Sequence, residues 1–187
     1  MNKPSTEQNA PPSQPVLETD RLILRPFASS DAKEVQRLAG DFAVADTTLN
    51  IPHPYSDGAA EEFISSHPAK YKQGEAATFA ITLKGDRSLI GAMGLIATKR
   101  FRRAELGYWI AKPYWNQGYA TEAGHAVVAF GFKEWALHKI VGTYLSRNPA
   151  SGRVMDKIGL VQEGLLRDHV IKWHRFEDMV ICGIVRR

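Results

Sequence analysis

The sequence has almost no cysteine. Cys182 is the one cysteine among 187 residues, so an internal disulfide is excluded, and no group of Cys and His residues has the spacing of a zinc site. Long apolar runs are also missing: no segment reaches the roughly 20 apolar residues that a membrane-spanning helix needs, and residues 1–15 have no signal-peptide-like apolar stretch. These absences exclude a disulfide scaffold, a structural zinc site and a membrane-spanning protein, and they predict a protein of the reducing cytoplasm.

The composition is that of a folded globular chain. Apolar residues make up 44% and charged residues 24%, values near the averages for such proteins, which argues against a disordered, collagen-like or coiled-coil chain. The length predicts a single domain, which we assign to residues 17–187. Residues 1–16 hold four prolines among polar residues and predict a flexible tail.

Charge is distributed unevenly along the chain. The formal net charge is +4, with 9 Lys and Arg against 12 Asp and Glu in residues 1–98 and 15 against 8 in residues 99–187. A basic second half fits a polyanionic partner, either nucleic acid or a phosphorylated small ligand. An ordinary solvated basic surface explains the same counts, so charge alone leaves all three interpretations open.

The first half of the chain predicts strands and helices in mixed order. Alternating apolar residues at 21–27 indicate a strand. Two helices are predicted after it, one from Ser30 or Asp31 to about Gly40 and one over about 59–71. Three more strands are predicted at 77–83, 88–97 and 104–110, the first two forming a hairpin across a Gly-Asp turn.

The second half predicts a β-loop-α-β unit. Apolar residues recur at helical spacing over 119–135, directly after the strand at 104–110, and residues 139–145 have the β-branched character of an inner strand. Such a crossover places the strands at 104–110 and 139–145 parallel to each other. A short helix at about 149–158 and strands at about 160–171 and 174–186 complete an α/β domain.

The segment KPYWNQGYATEAG at 112–124 joins that strand to that helix. Its small residues Gly118 and Ala120 let a ligand approach the backbone, and the first turn of a helix has unpaired N–H groups and a partial positive charge. The segment is therefore a candidate pyrophosphate site. A plain glycine turn with a helix cap fits the same residues, and neither GxGxxG nor the Walker pattern occurs.

Four segments together resemble a known family. ETDRLILRPF, AELGYWI, YWNQGYATEA and NPASGRVMDKIGLVQEG occur in the order and at the spacing of the GNAT N-acetyltransferases. The chain looks most like the branch that contains the RimJ/RimL ribosomal-protein N-terminal acetyltransferases, and the resemblance covers roughly 17–187. One departure is Trp115, which stands at the first position of the family's pyrophosphate motif, where Gln or Arg is usual.

The resemblance implies the GNAT fold and an acetyl-CoA donor. The fold is a mixed, mostly antiparallel twisted sheet, with the parallel pair splayed around the donor site and helices on both faces. No metal is implied, and a primary amine attacks the thioester directly in a ternary complex. The donor would be held by the backbone of Tyr108, Trp109 and Ile110, by the amides of Asn116, Gln117, Gly118, Tyr119, Ala120 and Thr121, and by Asn148, with Arg153 or Lys157 near the adenosine.

Two residues are candidates for catalytic roles, Ser151 from the resemblance and Glu105 from its place on the predicted strand at 104–110. Ser151 would lie near the sulfur as a proton or hydrogen-bond donor, although Asn and Ser before a helix are also common caps. Glu105 could accept the proton of the amine, and a rim or paired glutamate is the alternative. His169 and His174 are weaker candidates for that base.

The sequence does not determine which amine is the acceptor. Ribosomal-protein N-termini, antibiotic-like amines, polyamines and amino acids are all compatible with the sequence, as are ribosome association and a monomer or a homodimer. The competing hypotheses are a nucleic-acid or ribosome-binding module, supported by the basic turn KRFRR at 99–103, and a CoA-binding sensor with no acceptor.

Overall fold

The computed structural model describes residues 13–186, and their central element is one eight-stranded sheet with the order β1-β2-β3-β4-β5-β6-β8-β7. Residues 1–12, which hold most of the predicted tail, lie outside the described residues. The strands are β1 (Leu17–Glu18), β2 (Leu22–Arg25), β3 (Ala76–Leu83), β4 (Leu89–Thr98), β5 (Arg103–Ile110), β6 (Lys139–Leu145), β7 (Val161–Lys172) and β8 (Arg175–Val185).

One strand pair sets the shape of the sheet. Every neighbouring pair is antiparallel except β5 and β6, which run parallel with Arg103 opposite Lys139 and Leu106 opposite Gly142. Their pairing ends at that last position, although β5 continues to Ile110 and β6 to Leu145. The predicted parallel pair is confirmed, and beyond Leu106 the two strands diverge and leave the sheet open.

Helices cover both faces of this sheet. They are α1 (Ala32–Ala39), α2 (Phe42–Thr47), α3 (Ala59–Ser65), α4 (His67–Lys72), α5 (Tyr119–Lys133) and α6 (Pro149–Lys157). Because successive strand residues point to opposite faces, Phe79 and Ala80 of β3 belong to two different buried clusters. The cluster with Phe79 contains Val127 of α5, and the cluster with Ala80 contains Val35 of α1.

The predicted helices differ from the observed ones in the first half of the chain. The helix expected over 59–71 is two helices, since Ser66 ends α3 and Pro68, in the first turn of α4, has no N–H to continue the ladder. The short helix α2 was not predicted at all. Its N-cap is Asp41, whose side chain accepts a hydrogen bond from Ala43 N–H at 2.8 Å.

The predicted hairpin β3–β4 and the helix that follows β5 are confirmed, as are the two C-terminal strands. Within residues 13–186, no helix combines the length and the apolar character needed to cross a bilayer.

Candidate active site

A cleft of about 750 Å³ opens where β5 and β6 diverge. The edge of β5 that faces β6 has no strand partner beyond Leu106. The backbone polar groups that this edge presents between Gly107 and Ile110 can pair with an extended ligand, except the Ile110 carbonyl, which accepts from the Trp115 indole. A Cβ atom added at Gly107 would meet no atom within 4 Å, so the cleft is open at this position. The cleft therefore offers an unfilled strand position in the middle of the sheet.

The start of α5 forms one end of the cleft. Asn116 and Gly118 both adopt left-handed backbone conformations, with φ of 59° and 82°, and they turn the chain sharply into the helix. Within the described residues, no group accepts a hydrogen bond from the backbone N–H of any residue between Asn116 and Thr121. Six unpaired amides at a helix N-terminus make a site for an anion.

Two side chains, Trp115 and Arg21, hold this loop in place. Trp115 donates its indole N–H to the carbonyl of Ile110 at 2.6 Å, which ties the loop to the end of β5. Arg21 donates to the Gln117 carbonyl at 3.0 Å and to the Glu122 carboxylate at 2.6 Å, and its guanidinium lies 4.5 Å from the centre of the Tyr119 ring. Trp115, at the position where the family motif has Gln or Arg, therefore stabilises the loop by binding it to the end of β5.

Glu122 would otherwise place a negative charge in the first turn of α5, beside the anion site. Burial opposes its ionisation, but hydrogen bonds from Thr19 and Arg21 outweigh burial and keep the pKa of Glu122 below its usual value. The Thr19 hydroxyl donates at 2.6 Å, and the Arg21 backbone N–H donates at 2.8 Å. Arg21 thus neutralises the one acid that this turn carries.

The opposite wall of the cleft is the start of α6. Asn148 caps this helix by accepting a hydrogen bond from Ser151 N–H at 3.3 Å, and its amide nitrogen donates to the Thr47 carbonyl at 3.2 Å. The Ser151 hydroxyl lies 2.7 Å from the Tyr108 hydroxyl. Two residues expected to contact the donor are thus held in position. Asn148 is held by its capping hydrogen bond, and Ser151 is held by Tyr108 of β5.

Tyr108 is a hydrogen-bond donor at every physiological pH. Burial raises the pKa of Tyr108 to about 12, because the phenolate would lose its hydration, and the hydrogen bond with Ser151 only partly offsets this effect. The neutral phenol has two acceptors within reach, Ser151 Oγ at 2.7 Å and the Ser151 carbonyl at 3.2 Å. When it donates to Oγ, the serine hydrogen is free to point into the cleft.

Glu105 lies at the point of divergence. It is exposed to the cleft, and Thr143 of β6 donates its hydroxyl to the carboxylate at 3.2 Å. Among the described residues that line the cleft, Glu105 is the one acid, and the basic ones are Arg153 and Lys157 of α6. The cleft thus has a basic end at α6 and a single carboxylate where β5 and β6 diverge.

A third wall comes from α2 and the segment after it, Val44 and residues 47–51, which we call the acceptor wall. The turn between β7 and β8 fastens this wall from outside. Lys172, itself buried, donates to the carbonyls of Leu49 and Ile51 at 3.1 Å each, and Trp173 donates to Asp46 at 2.8 Å.

Arg147 joins the acceptor wall to β8. It lies 2.9 Å from the Asp46 carboxylate and 2.8 Å from the Glu177 carboxylate, and it also donates to the Asp46 carbonyl at 2.7 Å. Burial favours the neutral acid, but hydrogen bonds from Arg147 and Trp173 outweigh it and lower the pKa of Asp46. Asp46 is therefore ionised, and both carboxylates already have Arg147 as their partner.

The structure brings the predicted site residues together with few exceptions. Gln117 does not line the cleft, since its side chain turns back to donate to the Pro113 carbonyl at 2.9 Å. His169 and His174 are exposed and lie outside the cleft lining. The residues that do line it are Glu105, Tyr108, Trp109, Ile110, Asn116, Gly118, Tyr119, Ala120, Thr121, Asn148, Ser151 and Arg153.

Comparison with known proteins decides the family. Residues 21–161 match the family described as acetyltransferase (GNAT) domain, a span of more than half the chain. The chain belongs to the GNAT acetyltransferases. It is similar to the uncharacterized N-acetyltransferase YoaA of Bacillus subtilis, with 32% identity over 173 residues that cover 92% of this chain and 97% of YoaA.

Two further relatives belong to the ribosomal-protein branch of the GNAT family. The [ribosomal protein uS5]-alanine N-acetyltransferase of Escherichia coli is 26% identical over 183 residues, covering 90% of this chain and 89% of that enzyme. The structure of the ribosomal alpha-N-protein acetyltransferase RimL in complex with coenzyme A superposes with a TM-score of 0.84 at 16% identity, covering 91% and 98% of the two chains. The latter likeness shows that the two proteins share the GNAT fold.

Some residues that shape the GNAT cleft were missed by sequence reasoning. Arg21 and Glu122 are about a hundred positions apart, and so are Arg147 and Asp46. No local periodicity links such partners, so no pattern in the sequence could pair them. The acceptor wall was missed with α2, whose six residues are too few for a helical repeat to stand out.

Proposed function

We propose that this GNAT protein transfers the acetyl group of acetyl-CoA to a primary amine, a protein N-terminus or a small molecule, by direct attack in a ternary complex. One observation carries the proposal: an unpaired strand edge leads from a row of six free amides to a single exposed carboxylate. An extended phosphorylated donor fits the first two features, and an amine fits the third.

The donor is held by backbone groups on one side and by α6 on the other. The amides of residues 116–121 take the pyrophosphate, and the pantetheine arm pairs with β5 at Tyr108 to Ile110 as an additional strand. Asn148 retains one amide hydrogen and one lone pair for the pantetheine after its two structural hydrogen bonds. The RimL structure, which shares this fold, contains coenzyme A, and this supports coenzyme A as the carrier of the acetyl group.

The leaving thiolate is stabilised by Ser151. Its hydroxyl hydrogen bonds to the sulfur as the carbon–sulfur bond breaks, an interaction that exists mainly in the transition state. Tyr108, 2.7 Å away, holds the serine oxygen and orients its hydrogen toward the sulfur. Arg153 and Lys157 of α6, the two basic side chains that line the cleft among the described residues, are assigned to the adenosine end of the donor.

Glu105 receives the proton of the amine. A primary amine is mostly protonated near neutral pH, with a pKa of about 8 for an α-amino group and about 10.4 for a lysine-like group. Glu105 first pairs with the ammonium and then accepts its proton directly or through water, while Thr143 fixes the carboxylate. The relative named [ribosomal protein uS5]-alanine N-acetyltransferase supports a protein acceptor. A cytoplasmic site of action and ribosome association are predictions.

Release of coenzyme A thiol tests the proposal. The protein is mixed with acetyl-CoA and a panel of peptides and small amines, and we expect thiol release that depends on the amine. Binding of acetyl-CoA without turnover on any amine would instead indicate a sensor, and no binding at all would contradict the donor site.

A matched pair of variants tests the donor loop. Thr121 lines the cleft at the first turn of α5, so Thr121→Glu places a negative charge beside the pyrophosphate and Thr121→Gln does not. We expect the glutamate variant to bind acetyl-CoA at least about tenfold more weakly than the glutamine variant, a difference of about 1.4 kcal/mol. Equal affinities in calorimetry would remove the loop from the donor site.

A further inference from the structure

Arg103 and Glu105 lie on one exposed face of β5. They are two positions apart on the strand, so both side chains leave the sheet on the same side, with about 7 Å between their positions along the strand. Ile96 lies opposite Glu105 on β4 and is 65% exposed. Glu105 and Ile96 line the cleft, whereas Arg103, which is also exposed, does not. This open face of the sheet therefore leads from the cleft to the start of β5.

The Arg103 guanidinium lies beside Phe101 rather than beside Glu105. Its central carbon is 5.9 Å from the centre of the Phe101 ring, and that of Arg100 is 5.5 Å from the same ring, which is part of a side chain 58% exposed. Glu105 instead accepts a hydrogen bond from Thr143. The carboxylate and the two guanidinium groups are therefore held apart on the surface, and they do not neutralise each other.

The basic turn at 99–103 holds two further positive charges. Lys99 and Arg102 donate to the backbone carbonyls of Gln73 and Ala136. Because a carbonyl carries no net charge, these hydrogen bonds fix the two side chains without neutralising them. Within residues 13–186, none of the basic side chains of the turn forms an ion pair with a carboxylate.

A second carboxylate on this side of the sheet is already paired. Glu163 lies over Gly183, which is two strands away from Glu105 in the same row of the sheet. Lys139 donates to both of its carboxylate oxygens at 2.6 Å. A ligand that runs from the cleft along β5 therefore meets the carboxylate of Glu105 first and the unpaired guanidinium groups of the basic turn after it.

The order of these charges fits one kind of acceptor. An amine bound at Glu105 carries the positive charge, and negative charges on the same molecule must lie about 7 Å or more farther out to reach the guanidinium groups. Successive residues of an extended peptide advance by about 3.3 Å, so the third and fourth residues lie at this distance from the α-amine. A polyamine would bring a second cation to the basic turn and would be repelled.

We propose that the acceptor is the N-terminal segment of an acidic polypeptide. It lies along the exposed face of β5, with its α-amine at Glu105 and the carboxylates of its third and fourth residues against Arg100 and Arg103. The inference rests on the proposed N-acetyltransferase function and names its substrate class. The two arginines are specificity residues outside the cleft, which attract the acidic acceptor and repel basic ones.

Three hexapeptide amides that differ only at their third and fourth residues test the proposal. They are Ala-Ala-Asp-Asp-Ala-Ala, Ala-Ala-Asn-Asn-Ala-Ala and Ala-Ala-Lys-Lys-Ala-Ala. For the wild-type protein we expect kcat/KM to fall in that order, with the Asp peptide about threefold or more above the Asn peptide, the effect of exposed ion pairs. Arg100→Glu combined with Arg103→Glu should reverse the order and make the Lys peptide the best of the three. A damaged fold would not produce this gain.

Two further double variants separate local charge from net charge. Arg100→Gln with Arg103→Gln removes both charges and should bring the Asp and Asn peptides within about twofold of each other. Lys33→Glu with Arg87→Glu is the matched control, because it reverses two exposed charges on α1 and in the β3–β4 turn that do not line the cleft. It changes the net charge as much as the first variant does, and it should keep the wild-type order.

Each failure has its own signature. If the wild-type protein acetylates no peptide and no small amine, the proposed function is wrong and this inference falls with it. If the wild type is active but acetylates the Asp and Asn peptides equally, or if the glutamate double variant still prefers the Asp peptide, the acidic acceptor alone is overturned. Binding of an oligouridylate that the glutamate double variant loses, with no preference among the peptides, would overturn it in favour of an RNA partner for the basic turn.

Discussion

Removal of the Tyr108 hydroxyl should lower turnover through Ser151 alone. Tyr108→Phe keeps the half-buried ring and deletes the hydrogen bond of 2.7 Å with the Ser151 hydroxyl, together with the longer contact of 3.2 Å to the Ser151 carbonyl. A neutral hydrogen bond of this kind contributes about 0.5–1.5 kcal/mol, so kcat should fall by about two- to twelvefold. The KM for acetyl-CoA should change little, since the donor is held by backbone groups.

The coupling between the two hydroxyls is the sharper result. Ser151→Ala removes the donor to the thiolate and should lower kcat by about a hundredfold. In that background Tyr108→Phe should have no further effect, because it acts only by orienting a group that is now absent. The assay is a double-mutant cycle of kcat measured by thiol release at saturating acetyl-CoA and amine.

Tyr144→Phe is the matched control for this cycle. Tyr144 also lines the cleft, and its ring packs against Gly152 of α6, but within residues 13–186 its hydroxyl has no hydrogen-bond partner. Its removal should leave kcat unchanged. Additive effects of Tyr108→Phe and Ser151→Ala, or a wild-type kcat for Tyr108→Phe, would refute the orientation of Ser151 by Tyr108.

Three other predictions concern the base, the donor loop and a buried histidine. Glu105→Gln should lower turnover at neutral pH, and a higher pH should partly restore it by supplying neutral amine; an unchanged pH–rate profile would exclude Glu105 as the base. Arg21→Met should raise the KM for acetyl-CoA by roughly two- to fivefold, because it leaves Glu122 unpaired beside the pyrophosphate, and Glu122→Gln in the same chain should reverse the effect. If Glu122→Gln does not reverse the rise in KM, Arg21 contributes to folding only and not to donor binding. His67 is buried with no partner for Nδ1 among the described residues, and burial together with Lys70 lowers its pKa to about 4. Because the unfolded chain then binds the proton more tightly, the free energy of unfolding should fall by up to about 3 kcal/mol between about pH 6.5 and pH 4, and His67→Phe should remove this part of the loss in urea titrations. Identical pH dependence in the variant would contradict the assignment.

The fold was largely predictable because its strongest signals are local. The change from period 2 in β5 to period 3.6 in α5, followed by a β-branched strand, was enough to predict the parallel pair β5–β6. Short elements gave weaker signals. The helix α2 has six residues, too few for a helical pattern to stand out. The apolar spacing over 59–71 predicts one helix, but Pro68 divides it into α3 and α4.

The residues of the candidate site also differ in how far the sequence could predict their roles. Glycine and helix-terminus chemistry made the loop at 116–121 a candidate, but a plain glycine turn explains the same residues, and the resemblance decided between the two. The roles of Asn148 and Ser151 also came only from resemblance, since capping explains the same two residues. The structure contains the Asn148 cap, and the same residue still lines the cleft. Capping and ligand contact therefore do not exclude each other at this position.

The polar network around the acceptor wall was beyond sequence reasoning. Arg147 and Asp46 are 101 positions apart, and Trp173 and Asp46 are 127 apart. Each residue alone is an ordinary charged or aromatic surface residue, and only the packing of the β7–β8 turn against α2 brings them together.

The central claim is that the acetyl group passes directly from acetyl-CoA to an amine within this cleft. A single-turnover experiment with isotopically labelled acetyl-CoA and excess protein, followed by mass spectrometry of both protein and amine, tests it most directly. We expect the protein mass to stay unchanged before the amine is added, and one labelled acetyl group to appear on the amine for each thiol released. Labelled acetyl on the protein before amine addition, or thiol release without acetylated amine, would contradict the claim.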